Sequence, residues 1–244
     1  MSTLIQLEDI SYSYDNHPAL SDVNLTIEAG KAYALIGENG SGKSTLLKII
    51  NGLLYPSSGT YQFMGNKITS KTLRHKQGSR QFHQRIGFVF QNPEVQLFSP
   101  TVYEELAFAP RQMQLDEIEV KQRVMDCLKM LNIEHLIHRE PIYLSDGEKK
   151  RVAIASVLTA NPQVLTLDEP LNGLDPRSKR FLLQLMLKLK AAGKTIICST
   201  HDLNYWKSLF DVAVVMNDQK KIEKVAPYNQ IIEDEAFLTQ MNVM

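Results

Sequence analysis

The segment GENGSGKS, from Gly37 to Ser44, contains the residue types that bind phosphate. Its glycines permit backbone torsions and a close approach to phosphate that a β-carbon would block. A strand-like apolar run at residues 32–36 precedes it, and a helix-like run at residues 45–50 follows. A strand, a glycine loop and a helix N-terminus in this order match the Walker A pattern, in which backbone N–H groups surround phosphate oxygens. The alternative is a glycine turn that caps a helix and exposes Lys43, but the spacing fits the phosphate loop at every required position.

This loop predicts a bound nucleotide and its metal ion. Lys43 is expected to reach the β- and γ-phosphates, and the Ser44 hydroxyl is expected to bind Mg²⁺. The residues expected to line the nucleotide here are Gly37, Glu38, Asn39, Gly40, Ser41, Gly42, Lys43, Ser44 and Thr45.

Two adjacent carboxylates, Asp168 and Glu169, follow the apolar run VLTL. The carboxyl end of a buried strand is where doubly wound sheets bind their ligands. Asp168 is expected to hold Mg²⁺ through water, and Glu169 to polarise the water that attacks the γ-phosphorus. An acidic turn after a strand is the alternative, which the phosphate loop in the same chain disfavours.

The pentapeptide LSDGE, which ends at Glu148, has two compatible interpretations. Ser145 and Glu148 have the spacing of a capping box, so the segment predicts the start of a helix over residues 148–158. A helix N-terminus is also an anion site, because its free N–H groups and its dipole favour negative charge.

The hydrophobic pattern predicts an α/β fold. Alternation at residues 4–10 and 23–27, with a turn at residues 15–18, indicates an antiparallel subdomain, and further strands are expected at residues 61–64 and 86–90. Residues 101–131 read as helical, with capping spacings at Thr101 and Asp116 and a stripe of Val124, Leu128 and Leu131. Apolar runs at residues 164–167, 195–198 and 212–215 then alternate with helices such as residues 177–192. This alternation predicts a parallel sheet with right-handed crossovers.

The stretch from residue 71 to residue 85 is basic, with Arg74, His75, Lys76, Arg80 and His83. We expect this stretch to be a solvated surface segment, and the alternative is that it binds a metal or a nucleic acid.

Composition narrows the function classes. Lys plus Arg equals Asp plus Glu at 27 each, so the overall charge gives no reason to expect a nucleic acid as the main partner.

No stretch approaches the roughly 20 apolar residues that span a bilayer, and the N-terminal segment lacks a signal pattern, so a cytoplasmic location is expected. Cys127 and Cys198 are isolated thiols, which are expected to be reduced packing residues.

The ordered set of motifs resembles the nucleotide-binding subunits of ATP-binding-cassette transporters over essentially the whole chain. After the Walker A loop come Gln91 in VFQNP, then LSDGE, then LTLDE, then Asp175 in NGLD and His201 in STHD. These correspond to the family's Q-loop, signature, Walker B, D-loop and switch histidine. Tyr14 in SYSYD stands where the family places an aromatic ring that stacks on adenine.

The resemblance implies a RecA-like core, ATP and Mg²⁺ as ligands, and a dimer. Residues 1–95 and 145–244 would form the nucleotide-binding core with its β-subdomain, and residues 96–144 the inserted helical subdomain. Gln91 would contact Mg²⁺, and His201 would contact the γ-phosphate and orient the attacking water. In this family each ATP lies between two chains, so the signature residues Ser145, Gly147 and Glu148 would act on the nucleotide held by the other chain. The D-loop residue Asp175 is also expected to bind the nucleotide.

One signature position departs from the family pattern, since Asp146 replaces the usual glycine. A carboxylate close to a γ-phosphate would repel it. We therefore expect the Asp146 side chain to point to solvent and the site to remain active.

The segment NPEVQLFSPTVYEELAFAP resembles the ATPases of energy-coupling-factor importers for vitamins and for cobalt or nickel, and LSDGEKKRVAIASVL resembles the cobalt and nickel branch. That branch implies a homodimer, although a second, different ATPase is possible, together with a membrane scaffold and a substrate-binding membrane subunit at the cytoplasmic face. Phe98, Val102 and Leu106 would line a groove for a helix of the membrane subunit, or would belong to the core of the helical subdomain. The competing classes are an exporter ATPase, a non-transport ATPase acting on chromosomes or ribosomes, and a regulator without hydrolysis.

Overall fold

The computed structural model describes residues 2–243, which form two β-sheets and the helices around them. The strands are β1 (Thr3–Tyr14), β2 (His17–Glu28), β3 (Ala32–Ile36), β4 (Ser58–Phe63), β5 (Asn66–Lys67), β6 (Ile86–Val89), β7 (Val164–Asp168), β8 (Thr195–Ser199), β9 (Val212–Met216) and β10 (Ile222–Pro227). The helices are α1 (Lys43–Ile50), α2 (Ser70–Arg74), α3 (Lys76–Arg85), α4 (Val102–Gln112), α5 (Glu117–Leu131), α6 (Asp146–Leu158), α7 (Pro176–Ala191), α8 (Tyr228–Ile232) and α9 (Glu235–Gln240). The predicted α/β class is confirmed.

The larger sheet is mainly parallel, and its six strands follow the order β10-β9-β3-β8-β7-β6. Only β10, at one edge, runs antiparallel to its neighbour. All residues of β3, β7 and β8 are buried, which is why these strands have nearly continuous apolar sequences instead of alternating ones. Because parallel strands end at the same edge, the segments after β3, β6, β7 and β8 come together there.

The smaller sheet is antiparallel, with four strands in the order β2-β1-β4-β5. Its buried face shares a hydrophobic core with α1, to which Ile5, Val23, Leu46 and Ile50 contribute. The predicted antiparallel subdomain is confirmed, and the turn falls at residues 15–16. β1 ends at Tyr14, beside the loop that joins β3 to α1.

Helices α4 and α5 lie between β6 and α6 in the chain and pack against α6. The Thr101 hydroxyl accepts a hydrogen bond from the Glu104 backbone at 3.2 Å, and Asp116 accepts one from the Glu119 backbone at 2.8 Å. Both predicted helix starts are therefore confirmed. The predicted apolar stripe is fully buried and consists of Val124, Leu128 and Leu131.

The basic stretch at residues 71–85 is more ordered than the sequence suggested. It lies within α2 and α3, and Leu73 and Phe82 are buried against the core of the antiparallel sheet. The Phe82 ring contacts the rings of Tyr61 and Phe63. The charged side chains are on the surface as predicted, but two apolar anchors fold the segment into helices.

Among residues 2–243, no helix combines the length and the apolar character that crossing a bilayer requires.

Candidate active site

The phosphate loop lies between β3 and α1, at the carboxyl edge of the parallel sheet. Gly42 has a φ of +106°, and a β-carbon there would lie 2.5 Å from the Ala19 carbonyl oxygen. At Gly40, by contrast, a β-carbon would meet no atom within 4 Å, so this part of the loop borders open space. The loop is thus packed against β2 on one side and open to a ligand on the other.

Lys43 is buried at the start of α1 and lies across the loop. Its ammonium donates hydrogen bonds to the carbonyl oxygens of Gly37 at 2.7 Å and Glu38 at 3.0 Å. Burial lowers the pKa of Lys43, and the nearby charges of Glu169 and Asp168 oppose that shift. The loop therefore holds a positive charge close to Asp168 and Glu169, the two carboxylates at the end of β7.

An open cleft of about 750 Å³ gathers most of the predicted site residues. It is lined by Tyr14, Pro18, Ala19, Asn39, Gly40, Gly42, Lys43, Ser44, Thr45, Gln91, Glu169, Asn172 and His201. These residues come from five separate segments of the chain, which the carboxyl edge of the sheet brings together. An aromatic ring at one rim and a glycine loop with a lysine at the centre suit a nucleotide.

Asp168 ends β7 and is buried beneath the cleft. Its carboxylate accepts a hydrogen bond from the Ser199 hydroxyl at 2.6 Å, and that hydroxyl accepts one from the Glu169 backbone at 2.8 Å. Ser199 is paired with Asp168 in the register of β7 and β8. One serine therefore fixes the carboxylate of Asp168 and the backbone of Glu169 at the same time.

Glu169 and His201 form a close pair at the edge of the cleft. The Glu169 Oε2 and His201 Nδ1 atoms are 2.8 Å apart. The Glu169 side chain is only 12% exposed, whereas the His201 ring is 64% exposed. Glu169 also has a φ of +44°, a left-handed conformation that is uncommon outside glycine and often occurs at functional sites. In such a hydrogen-bonded pair, the carboxylate can accept a proton from a water molecule and the imidazole can orient that water.

The donor set fits a Mg²⁺ ion that also binds phosphate. Residues 2–243 contain no group of three or more His, Cys, Asp and Glu side chains that could hold a metal by themselves. Mg²⁺ commonly uses one or two carboxylates and completes its shell with waters and substrate phosphates. Ser44 and Gln91 line the cleft and Asp168 lies beneath it, which matches that requirement.

The predicted signature and D-loop residues do not reach the cleft of their own chain. The Ser145 backbone N–H and hydroxyl both donate to Glu148, at 2.9 and 2.7 Å, so these two residues cap α6. Asp175 caps α7, accepting hydrogen bonds from the Ser178 backbone at 3.0 Å and the Ser178 hydroxyl at 2.6 Å. These bonds lower the pKa of Glu148 and of Asp175. The capping interpretation of Ser145 and Glu148 is confirmed, and their role toward a second chain stays a prediction, as does nucleotide binding by Asp175.

Asp146 is the first residue of α6, and its side chain is exposed. Its orientation relative to a partner's γ-phosphate stays a prediction. The activity of the site with Asp146 in place stays a prediction.

Sequence reasoning missed two polar residues of the site. Ser199 was hidden because a serine at the end of an apolar strand gives no chemical signal until its pairing with Asp168 is known. Asn172 lines the cleft from the turn after β7, and an asparagine in a turn gives no chemical signal from sequence alone.

The sequence of this chain matches two known family profiles. The family profile described as ABC transporter matches residues 20–172. A shorter match, to a profile described as an AAA domain, covers residues 141–205.

Two relatives illustrate the similarity in sequence. The nickel import ATP-binding protein LarO of Lactiplantibacillus plantarum is 46% identical over 220 residues, which are 90% of this chain and 91% of that protein. The energy-coupling factor transporter ATP-binding protein EcfA of Methanothermobacter thermautotrophicus is 40% identical over 225 residues, which are 92% of this chain and 71% of that protein.

Two solved structures illustrate the similarity in fold. CbiO1 of Clostridium perfringens, described as part of the ABC transporter complex cbiONQ, superposes with a TM-score of 0.83 at 36% identity, covering 100% of this chain and 96% of that one. An ATP-binding cassette solved as a dimer with ADP and Pi superposes with a TM-score of 0.81 at 29% identity, covering 92% of this chain and 99% of that one.

Proposed function

This chain belongs to the ABC transporter family of ATPases, and on that premise we propose that it drives an energy-coupling-factor importer that takes up nickel or cobalt. The coarser activity follows from the family: the chain is an ATP-hydrolysing subunit of an ABC importer. The finer assignment is supported by the segment NPEVQLF and by relatives described as nickel import and energy-coupling-factor proteins.

One observation carries the proposed chemistry: Lys43, Glu169 and His201 converge on a single cleft. The loop N–H groups and Lys43 would hold the β- and γ-phosphates. Glu169 would accept the proton of the attacking water, and His201, bonded to it at 2.8 Å, would orient that water and contact the γ-phosphate. Tyr14 would stack on the adenine ring.

The bound Mg²⁺ would supply positive charge to the phosphates and the leaving oxygen. Ser44, Gln91 and Asp168 would hold it, with Asp168 fixed from below by Ser199. The protein supplies the position of these oxygens.

Replacing Glu169 by Gln tests the assigned base. We expect this variant to bind ATP and dimerise but to hydrolyse it at least about a hundredfold more slowly, because the amide cannot accept the proton. His201→Ala should lose most hydrolysis as well. Phosphate release and light scattering after gel filtration measure the two properties.

The control for this experiment is Glu134→Gln, which removes an exposed carboxylate outside the cleft. It should behave as the unmodified chain. Normal turnover in the Glu169→Gln variant would exclude this residue as the base.

An apolar groove offers a contact for the membrane subunit. It has a volume of about 380 Å³ and includes Leu97, Phe98, Pro141 and Ile142, with Lys149 among its charged residues. Phe98 is 68% exposed and Ile142 is 72% exposed. We infer that a short helix of the membrane scaffold occupies this groove, so that closure of the ATPase moves the scaffold.

The two other residues considered for this contact have a different role. Val102 and Leu106 are fully buried in the core formed by α4, α5 and α6. The alternative that assigned them to the subdomain core is correct, and of these three predicted residues Phe98 alone is exposed.

Purification of the tagged chain from native membranes in mild detergent tests the importer assignment. A membrane scaffold and a substrate-binding membrane protein should co-purify with the chain, and a second ATPase should not. In the membrane, the chain should lie at the cytoplasmic face. Radioactive nickel or cobalt uptake by vesicles containing that complex would then identify the cargo. Recovery of an exporter-type membrane subunit, or uptake of a vitamin instead of a metal, would overturn the finer assignment.

A further inference from the structure

Lys150 is a buried cation that the proposed chemistry does not use. It lies in the first two turns of α6 and is 3% exposed. Its ammonium donates a hydrogen bond to the backbone carbonyl oxygen of Gln91 at 2.7 Å. Burial lowers the pKa of Lys150, while the charges of Asp168 and Glu169 oppose that shift. The ammonium thus contacts the Q-loop backbone and lies near enough to Asp168 and Glu169, at the end of β7, to be affected by their charges.

Burying the ammonium of Lys150 costs free energy unless the charge has a hydrogen-bond or ionic partner. A buried ammonium loses its hydration, and lysine side chains usually extend to water instead. The adjacent Lys149 reaches Glu94, a carboxylate whose side chain is 63% exposed, at 2.6 Å. Lys150 turns inward instead and ends on a backbone carbonyl.

A second contact reinforces the same junction. Gln96, which follows the Q-loop, donates to the Ala153 carbonyl oxygen of α6 at 2.7 Å and accepts a bond from the Phe90 backbone at 3.2 Å. The segment from Phe90 to Gln96 is therefore attached to α6 at both ends, by Gln96 and by Lys150.

We propose that Lys150 is a positioning residue that fastens the Gln91 backbone to α6, so that the Q-loop and the signature helix move as one unit. This inference rests on the proposed function, in which Gln91 contacts Mg²⁺ in its own chain's cleft. The N-terminus of α6 carries Ser145 and Gly147, which are proposed to meet the nucleotide of the partner chain. This tether, the hydrogen bond from Lys150 to the Gln91 carbonyl oxygen, would then connect the two nucleotide sites of a dimer through one buried ammonium.

A double-mutant cycle on the full chain tests this role. Lys150→Met removes the ammonium at similar length, and Gln91→Ala removes the side chain that Lys150 is proposed to position. We expect Lys150→Met to lower kcat roughly tenfold and to leave KM for ATP within about twofold, since the residue does not line the loop that binds phosphate. In the Gln91→Ala background the same substitution should cause little further loss, because residues that act as a unit are not additive.

Two further variants separate positioning from folding. Lys150→Gln keeps a donor without the charge and should retain more activity than Lys150→Met. Lys121→Met, which replaces an exposed lysine of α5, is the control and should leave kcat and its response to Gln91→Ala unchanged. Thermal unfolding of each variant shows whether a loss of activity reflects loss of structure, and Lys150→Gln decides the question if Lys150→Met does not fold.

The outcomes distinguish this inference from the proposed function. If the unmodified chain hydrolyses ATP and Gln91→Ala impairs it, but Lys150→Met has normal kcat, the tether is not needed and the function stands. If Lys150→Met causes the same loss with and without Gln91, Lys150 acts on the carboxylates directly and the positioning role is wrong. If the unmodified chain does not hydrolyse ATP, the proposed function itself fails.

Discussion

Ser199 shows how a single hydroxyl can organise the chemistry of this site. It donates to Asp168 at 2.6 Å and accepts from the Glu169 backbone at 2.8 Å, so it touches both residues of the acidic pair. Ser199 is fully buried, and no other hydroxyl among the described residues makes these two bonds. The position of the Glu169 carboxylate relative to His201 therefore depends on the end of β8.

We expect Ser199→Ala to lower both stability and turnover. The buried Asp168 carboxylate would lose a donor, which typically costs about 1–3 kcal/mol of the free energy of unfolding. A displaced Glu169 that raises the barrier by about 1.4 kcal/mol would slow hydrolysis about tenfold. Thermal denaturation and steady-state phosphate release measure the two effects.

Ser57→Ala provides the comparison, because Ser57 is exposed in the turn before β4. It should change neither quantity. A Ser199→Ala chain with full turnover would mean that the backbone alone positions Glu169.

At the scale of the element, helix starts carry residues with two roles. Asp175 is the N-cap of α7, and Ser145 with Glu148 caps α6. Each cap satisfies backbone N–H groups that the first helical turn leaves free. The same N-termini are proposed to face the nucleotide of a partner chain, so a local stabilising feature and a functional surface coincide.

Asp175→Ala should lower the melting temperature near neutral pH, and the difference should vanish in acid. The hydroxyl and backbone N–H of Ser178 lower the pKa of Asp175 below its ordinary value of 3.8. A carboxyl with a lower pKa in the folded state stabilises above its unfolded pKa and loses that effect as pH falls through its folded pKa. Melting curves from pH 7 down to below this pKa check the prediction.

Asp218→Ala removes an exposed carboxylate in the turn between β9 and β10 and serves as the control. Its melting curve should follow that of the unmodified chain at every pH. A difference for Asp175→Ala that persists unchanged in acid would show that charge is not what the cap contributes.

At the scale of the whole molecule, the proposed site needs residues of a second chain. The cleft gathers Tyr14, Lys43 and Gln91, but Ser145 and Gly147 lie outside it. One cassette of the family has been solved as a dimer with ADP and Pi. In a dimer of this chain, Ser145 and Gly147 are proposed to act on the nucleotide of the partner.

Mixing two inactive variants tests this arrangement. Lys43→Ala disables the phosphate loop, and Gly147→Arg places a large side chain at the start of α6. A mixed dimer contains one site with an intact loop and an intact signature, so hydrolysis should reappear on mixing. Phosphate release at fixed total protein measures it, with each variant alone as its control.

If gel filtration shows that the two variants exchange subunits but no hydrolysis returns, the signature of one chain does not complete the site of the other.

The sequence by itself determined the chemistry of this protein and much of its architecture. Gly42, Lys43 and the Asp168-Glu169 pair could be identified because a phosphate loop and paired carboxylates require those residue types at fixed local spacing. The buried strands β3, β7 and β8 could be identified because their apolar runs are continuous.

Only the tertiary structure decided which residues meet across the chain. The bonds of Ser199 to Asp168 and of Lys150 to Gln91 depend on strand register and on which face of α6 turns inward, and neither is encoded in local pattern. A lysine side chain in a helix usually extends to solvent, so the sequence did not predict that Lys150 is buried. Likewise Leu73 and Phe82 turned a basic stretch into packed helices because long-range burial outweighed its local charge.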